Sequence, residues 1–246
     1  MIKIFENGTD VSRAAADYFV EIAQQAIDKK GRFTVALSGG NSPRKCYELL
    51  ASKEYKKKVD WGKVYIFWGD ERFVPRDDDQ NNAKMAFDSL LNHVPIPDDH
   101  IFPIPYSGTP RESANEYEKT LRNYFRDKEP VFDLIYLGLG DNGHTASLFP
   151  NTNVLNKMNI WVSEVYLEDQ NMYRITLTLP VINQAENIIF IVYGQKKAEI
   201  FSTVLIGPHQ PKRWPAQLIK PSNGKLIWMI DQAAASVYVN KKNDLK

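Results

Sequence analysis

Four short stretches of this chain gather the residue types that do chemistry, and each follows a run of apolar residues. They are SGGNSPR at 38–44, GDER at 69–72, GLGDNGHTASLFP at 138–150 and GQKK at 194–197. The third is the most informative. Its first six residues match G-x-G-x-x-G, the glycine signature of dinucleotide-binding folds. That signature needs a long helix after the glycines, and here Pro150 and Asn151 stop the chain shortly after His144. The match is therefore a coincidence of pattern. The glycines fit His144 better: no bulky neighbour precedes it, and an imidazole titrating near pH ~6.5 suits general-base work. A structural imidazole is the competing reading.

SGGNSPR puts Gly39 and Gly40 at a strand-to-helix turn, with Ser42 the expected N-cap and Pro43 in the first helical turn. Backbone N–H groups at such a helix start attract an anion, and Arg44 adds a fixed cation with fork geometry. The stretch reads as a phosphate site. Ala36 to Gly40 also comes within one residue of the G-x-S-x-G of serine hydrolases. A nucleophile elbow turns directly into its helix, whereas Gly39, Gly40, Asn41 and Ser42 precede Pro43, so Ser38 reads as an ordinary strand-end serine. In GDER, Asp70 and Arg72 alternate with Glu71 along an extended chain and face one cleft together. The acidic run at 77–79 reads as a solvated loop or a helix start. Lys196 and Lys197 open a helix after Gly194, a position unfavourable for cations unless an anion sits there. Lys197 is thus a second phosphate contact, and Arg174, in YRITLT, either reaches the same anion or pairs with a surface acid.

These stretches must be held by something. Strand candidates are 33–38, 64–69, 132–138, 160–165, 173–178, 187–194 and 225–230; helix candidates are 10–30, 42–51, 80–91, 112–127 and 195–205. Several strands are apolar almost throughout, as expected for strands covered on both faces. The alternation predicts an α/β fold: a single-domain, Rossmann-like, mainly parallel sheet over residues 1–246, with helices on both faces. Ligands in such sheets bind beyond the carboxyl ends of the strands, where all four stretches lie. With 31 Lys and Arg against 30 Asp and Glu, the net charge of +1 gives no reason to expect a nucleic acid or an anionic membrane as partner. The single cysteine, Cys46, excludes an intramolecular disulfide and a CxxC pair, and the four histidines show no metal-binding spacing. No metal or cofactor is expected. The N-terminus lacks the apolar core of a signal peptide, and the longest apolar run, IIFIVY, is far short of the ~20 residues that span a bilayer. The chain reads as cytoplasmic. No feature selects between a monomer and a homodimer.

In this order, LSGGNSP, WGDERFVP, LGLGDNGHTASLFP, RITLTLPVIN, GQKKAE and LIWMIDQAAA resemble the 6-phosphogluconolactonases of the oxidative pentose phosphate pathway. These belong to the glucosamine-6-phosphate deaminase/6-phosphogluconolactonase superfamily, and the resemblance covers nearly the whole chain. The deaminases carry DEY and GHIAFNEP where this chain has Asp70-Glu71-Arg72 and GHTASLFP, which favours the lactonases. The resemblance implies a sugar-phosphate isomerase-like fold and metal-free hydrolysis of 6-phospho-D-glucono-1,5-lactone, a small-molecule partner. It implies His144 as the base and Asp70 orienting the water or the sugar hydroxyls. Arg72 would pair with Asp70 or face the oxyanion or the phosphate. Gly39, Gly40, Ser42, Arg44, Lys197 and Arg174 would serve the phosphate. One departure stands out. Both groups usually have Asp directly before Gly-His, whereas this chain has Asn142, which hydrogen-bonds without a charge. An amino-sugar-phosphate deaminase and a binding-only sugar-phosphate sensor are the alternative readings.

Overall fold

The alternation read from the sequence is realised in the computed structural model, which describes residues 1–126 and 128–244. In chain order the first half comprises β1 (Ile2–Phe5), α1 (Gly8–Lys30), β2 (Phe33–Leu37), α2 (Asn41–Ala51), β3 (Val64–Trp68), β4 (Asp70–Arg72), α3 (Asn82–Ser89) and α4 (Pro110–Phe125). The second half comprises β5 (Leu134–Leu137), β6 (Val162–Leu167), β7 (Met172–Leu177), α5 (Leu179–Asn183), β8 (Asn187–Val192), α6 (Ala198–Ile206), β9 (Lys225–Asp231) and α7 (Gln232–Asp244). Among the described residues, no helix is long and apolar enough to cross a membrane.

Six strands form one sheet in the order β1-β9-β8-β5-β2-β3, every pair parallel. β2, β5 and β8 are buried at every position, which explains why they are apolar almost throughout, with Thr34 inside β2 and Asn187 opening β8 as the polar exceptions. The pleat sends neighbouring residues to opposite faces. Tyr136 on β5 meets α1, donating its hydroxyl to the Ala15 carbonyl at 2.9 Å, and packs beside Tyr47 of α2. Phe190 on β8 and its register partner Trp228 on β9 point to the other face. Their rings stack at 3.8 Å, and Phe201 of α6 meets Trp228 edge-on. α1 follows its helical period, burying Val11, Ala15, Phe19 and Ile22, and ends on Gly31 at φ 77°. Truncating Phe19, which packs against Phe33, Trp61 and Tyr136, would cost about 3–5 kcal/mol.

One expectation is corrected. The segments 160–165 and 173–178 do not join the main sheet; β4, β7 and β6 form a separate antiparallel sheet. Only a short turn links β6 to β7, whereas parallel neighbours need a crossover of a dozen or more residues, so a hairpin is the only pairing available. The two sheets meet above the carboxyl ends of the main strands. From β2 the chain runs to β3 on one side, and from β5 to β8 on the other. The crevice between β2 and β5 is therefore the point where the winding reverses, the usual ligand position in open α/β sheets.

Candidate active site

A cavity of about 410 Å³ opens at this crevice. On its β2 side the chain turns through Ser38, Gly39 and Gly40. The Tyr47 hydroxyl holds the turn, accepting from the Ser38 N–H at 3.0 Å and donating to the Ser38 carbonyl at 2.9 Å. A Cβ on Gly39 would stand 1.8 Å from Asn82 Oδ1, so any larger residue there would have to displace that amide. Gly40, at φ 95°, is the N-cap of α2. Ser42 is thus not the cap the sequence suggested but lies inside the first turn, because the left-handed glycine already sets the entry of the chain. No side chain caps this helix start, which leaves its N–H groups for a ligand. Arg44 also departs from the expectation. It is exposed and lines a different groove, with Glu48, Asp88 and His93. The helical rotation past Ser42 and Pro43 carries its side chain away from the crevice.

The small sheet supplies the charges. Asp70 and Arg72 line the cavity together, while Glu71 points away from it and is 3% exposed. The Glu71 carboxyl accepts from the backbone N–H groups of Arg72, Asn82 and Ala83, tying β4 to the start of α3. Burial pushes it up to about 7, against those donors, which favour its ionised form. Arg72 donates to the Gln80 carbonyl at 2.9 Å and, among the described residues, makes no ion pair with Asp70. Its register partner across the ladder is Arg174, which donates to Gln170 Oε1 at 2.5 Å. Each guanidinium keeps a buried Nε with no partner. Burial, and then repulsion from Arg72, holds Arg174 below the usual guanidinium range. Like charges directly opposed across strands are unfavourable on their own and become favourable once an anion bridges them.

The loop after β5 supplies the imidazole. His144 lies flat against Phe149, centroids 3.9 Å apart. A Cβ on Gly140 would stand 2.1 Å from the His144 ring, so glycine there is room for the ring. Gly143, at φ 77°, is backed by Trp214, and its carbonyl accepts from the Ala216 N–H at 2.9 Å. Asn142 Oδ1 faces both the backbone N–H of His144, at 3.1 Å, and His144 Nδ1, at 2.6 Å. The backbone contact identifies this atom as the acceptor oxygen, so Nδ1 carries the proton and Nε2 holds the free lone pair. Burial pushes His144 down to about 4; Arg174 and Lys197 push the same way, against Asp70 and Asp141. The ring is therefore neutral at physiological pH. Lys197 closes the rim, its Nζ 2.5 Å from Asp141 Oδ1, and this contact holds the Asp141 carboxyl below its ordinary value.

One cavity thus gathers His144, Asp70, Arg72, Arg174, Lys197, Gly39, Gly40 and Ser42, and leaves out Arg44. Its lining also includes Asn82, Ser147, Phe149 and Gln170, which sequence reasoning did not single out. Ser147 and Phe149 sit within the quoted GHTASLFP, so their neighbourhood was marked. Asn82 and Gln170 carry no local signal, since folding alone brings them to the crevice.

The family model described as glucosamine-6-phosphate isomerases/6-phosphogluconolactonase matches residues 6–228. A 6-phosphogluconolactonase of Synechocystis is 40% identical, over 85% of this chain and 86% of its own. One of Nostoc is 36% identical, over 96% and 97%. Among solved structures, the 6-phosphogluconolactonase of Trypanosoma cruzi superposes with a TM-score of 0.83 at 26% identity, over 96% of this chain and 95% of its own. A monomeric glucosamine-6-phosphate deaminase superposes with a TM-score of 0.81 at 19% identity, covering 96% of this chain and 99% of its own; that similarity concerns the fold.

Proposed function

The chain belongs to the family of glucosamine-6-phosphate isomerases and 6-phosphogluconolactonases, and from that membership we infer that it hydrolyses 6-phosphogluconolactone to 6-phosphogluconate. The observation that carries the reading is a neutral imidazole with a free Nε2, set in a cavity whose wall presents Arg72, Arg174 and Lys197. A base beside a surplus of cations suits a neutral reacting carbonyl attached to an anionic handle.

In the mechanism we propose, His144 Nε2 takes a proton from a water as its oxygen attacks the lactone carbonyl. The tetrahedral oxyanion collapses, the bond from the carbonyl carbon to the ring oxygen breaks, and the imidazolium returns its proton to that oxygen. Such acid–base work is worth about 10²–10⁴ in rate. Asp70 accepts a hydrogen bond from the water or a sugar hydroxyl. Arg72 and Arg174, which line the cavity, take the phosphate together with Lys197, Ser42 and the N–H groups around Gly39 and Gly40. The phosphate anchor holds the carbonyl at a fixed distance from the base, converting binding into orientation. The low basicity of His144 is no obstacle, because a strained cyclic ester asks little of its base.

The test is the disappearance of freshly generated 6-phosphogluconolactone against its spontaneous opening, with the unphosphorylated lactone as control. A rate well above background that depends on the phosphate supports the reading. No acceleration overturns the activity, and equal turnover of both lactones overturns the phosphate site. A cytoplasmic location belongs to the same proposal, and fractionation of cells expressing the chain tests it.

A further inference from the structure

Asp70 stands on β4 of the small sheet and His144 on the loop after β5 of the main sheet, and one hydrogen bond ties that loop to the Asp70 carboxylate. Ser147 is fully buried, and its hydroxyl donates to Asp70 Oδ2 at 2.6 Å. Its own position is fixed from behind. The Ser147 N–H donates to Thr176 Oγ1 at 3.3 Å, and that hydroxyl faces the Leu177 carbonyl at 3.0 Å. Thr176 is the register partner of Asp70 on β7. The turn that delivers Ser147 runs through Ala146 at φ 46°, a left-handed conformation that a residue bearing a Cβ adopts only at a cost. The preceding Thr145 donates to the Gly138 carbonyl at 2.8 Å, pinning the turn to the end of β5. Among the described residues, the other Asp70 oxygen, Oδ1, has no hydrogen-bond partner.

We propose that Ser147 is a positioning residue for lactone hydrolysis: it occupies one oxygen of Asp70, leaves Oδ1 as the single acceptor facing the cavity, and fixes the distance between Asp70 and the loop that carries His144. This rests on the lactonase reading. A carboxylate free to rotate would offer two equivalent acceptors and hold a water or hydroxyl in several poses. With Oδ2 saturated from the loop side, one pose is left, already oriented before substrate arrives. Ser147 acts through Asp70 and touches no reacting atom, so its loss appears in turnover while the phosphate contacts, and with them the Michaelis constant, are kept.

The experiment is a kinetic cycle on 6-phosphogluconolactone with wild type, Ser147→Ala, Asp70→Ala and the double variant, each first shown to keep a cooperative thermal transition. Ser147→Ala is expected to lower kcat by about tenfold to a hundredfold with KM within about threefold. In the Asp70→Ala background the same change is expected to move kcat by less than about twofold, because the partner is gone. Ser147→Cys is nearly isosteric and keeps a weak donor, so it should recover part of the loss; it also answers for the alanine variant should that one fail to fold. A wild-type kcat in Ser147→Ala, or an equal loss with and without Asp70, overturns the positioning role while the lactonase reading stands. A wild type no faster than spontaneous opening removes that reading, and the positioning role with it.

Discussion

The turn after β2 and the turn after β5 leave strands buried at every position, both bend on glycines, and both line one cavity. After β2 the chain enters α2 at once, with Gly40 as its cap, and what it offers a ligand is backbone N–H groups at a helix start. After β5 no helix follows. Gly140 and Gly143 clear space, and the loop spends its length presenting side chains, among them His144 and Ser147. A glycine-rich strand end is thus a cradle when a helix starts immediately and a mount for side-chain chemistry when it does not. The helix, rather than the glycine pattern, separates the two.

On the proposed roles, damage to the β5 turn appears in turnover and damage to the side proposed to hold the phosphate appears in binding. The largest effect is expected from His144→Ala, which should lower kcat by at least about a hundredfold with little change in KM; steady-state kinetics showing wild-type turnover would remove the base from the mechanism. Gly140→Ala comes next. Its methyl would stand 2.1 Å from the ring, forcing the imidazole off its seat, and kcat should fall about tenfold or more. A rise in KM alone would mean that this turn, too, works as a cradle. Lys197→Ala reports on the other side: KM should rise about tenfold with kcat kept, as loss of a charge-assisted contact to phosphate implies. The same variant should turn over the unphosphorylated lactone as wild type does.

The smallest effect at neutral pH is expected from Asn142→Asp. His144 must be neutral to accept a proton, and with its titration at about 4 the acid limb of kcat/KM lies near that value. A carboxylate on Nδ1 favours the imidazolium and raises the titration point, so the acid limb moves to higher pH while the plateau changes little. A coincident pH profile would show that Asn142 serves by geometry alone.

The main sheet was legible because β2, β5 and β8 are buried on both faces and so are apolar almost throughout. β4 was not legible as a strand. Asp70, Glu71 and Arg72 carry no apolar pattern, and pairing with β7 makes them one. β1 is only four residues long, and α7 begins straight after β9, where the Asp231 carboxylate accepts from the Ala234 N–H at 2.8 Å in place of any turn residue. Within the site, position after a strand picked out His144, Asp70 and Lys197, which line one cavity. It failed for Arg44, where one or two residues of helical rotation decide which groove a side chain enters. It gave no hint of Gln170, whose place depends on how the β6–β7 hairpin folds back over the crevice. Local sequence carries strand ends; it does not carry the packing of one sheet above another.

The contact between Trp214 and Gly143 has an optical consequence. Of the five tryptophans, Trp61 and Trp68 are sealed in the core, Trp228 is stacked on Phe190 and half-buried Trp161 lies under the Arg122 guanidinium, while half-buried Trp214 sets its side chain against the backbone next to His144. Its indole is a built-in fluorophore at the back of the base. Any shift of that turn changes what the excited ring touches, and the difference between wild-type and Trp214→Phe emission isolates the signal. Where a ligand's arrival moves that turn, light from the chain itself times it, with no dye attached.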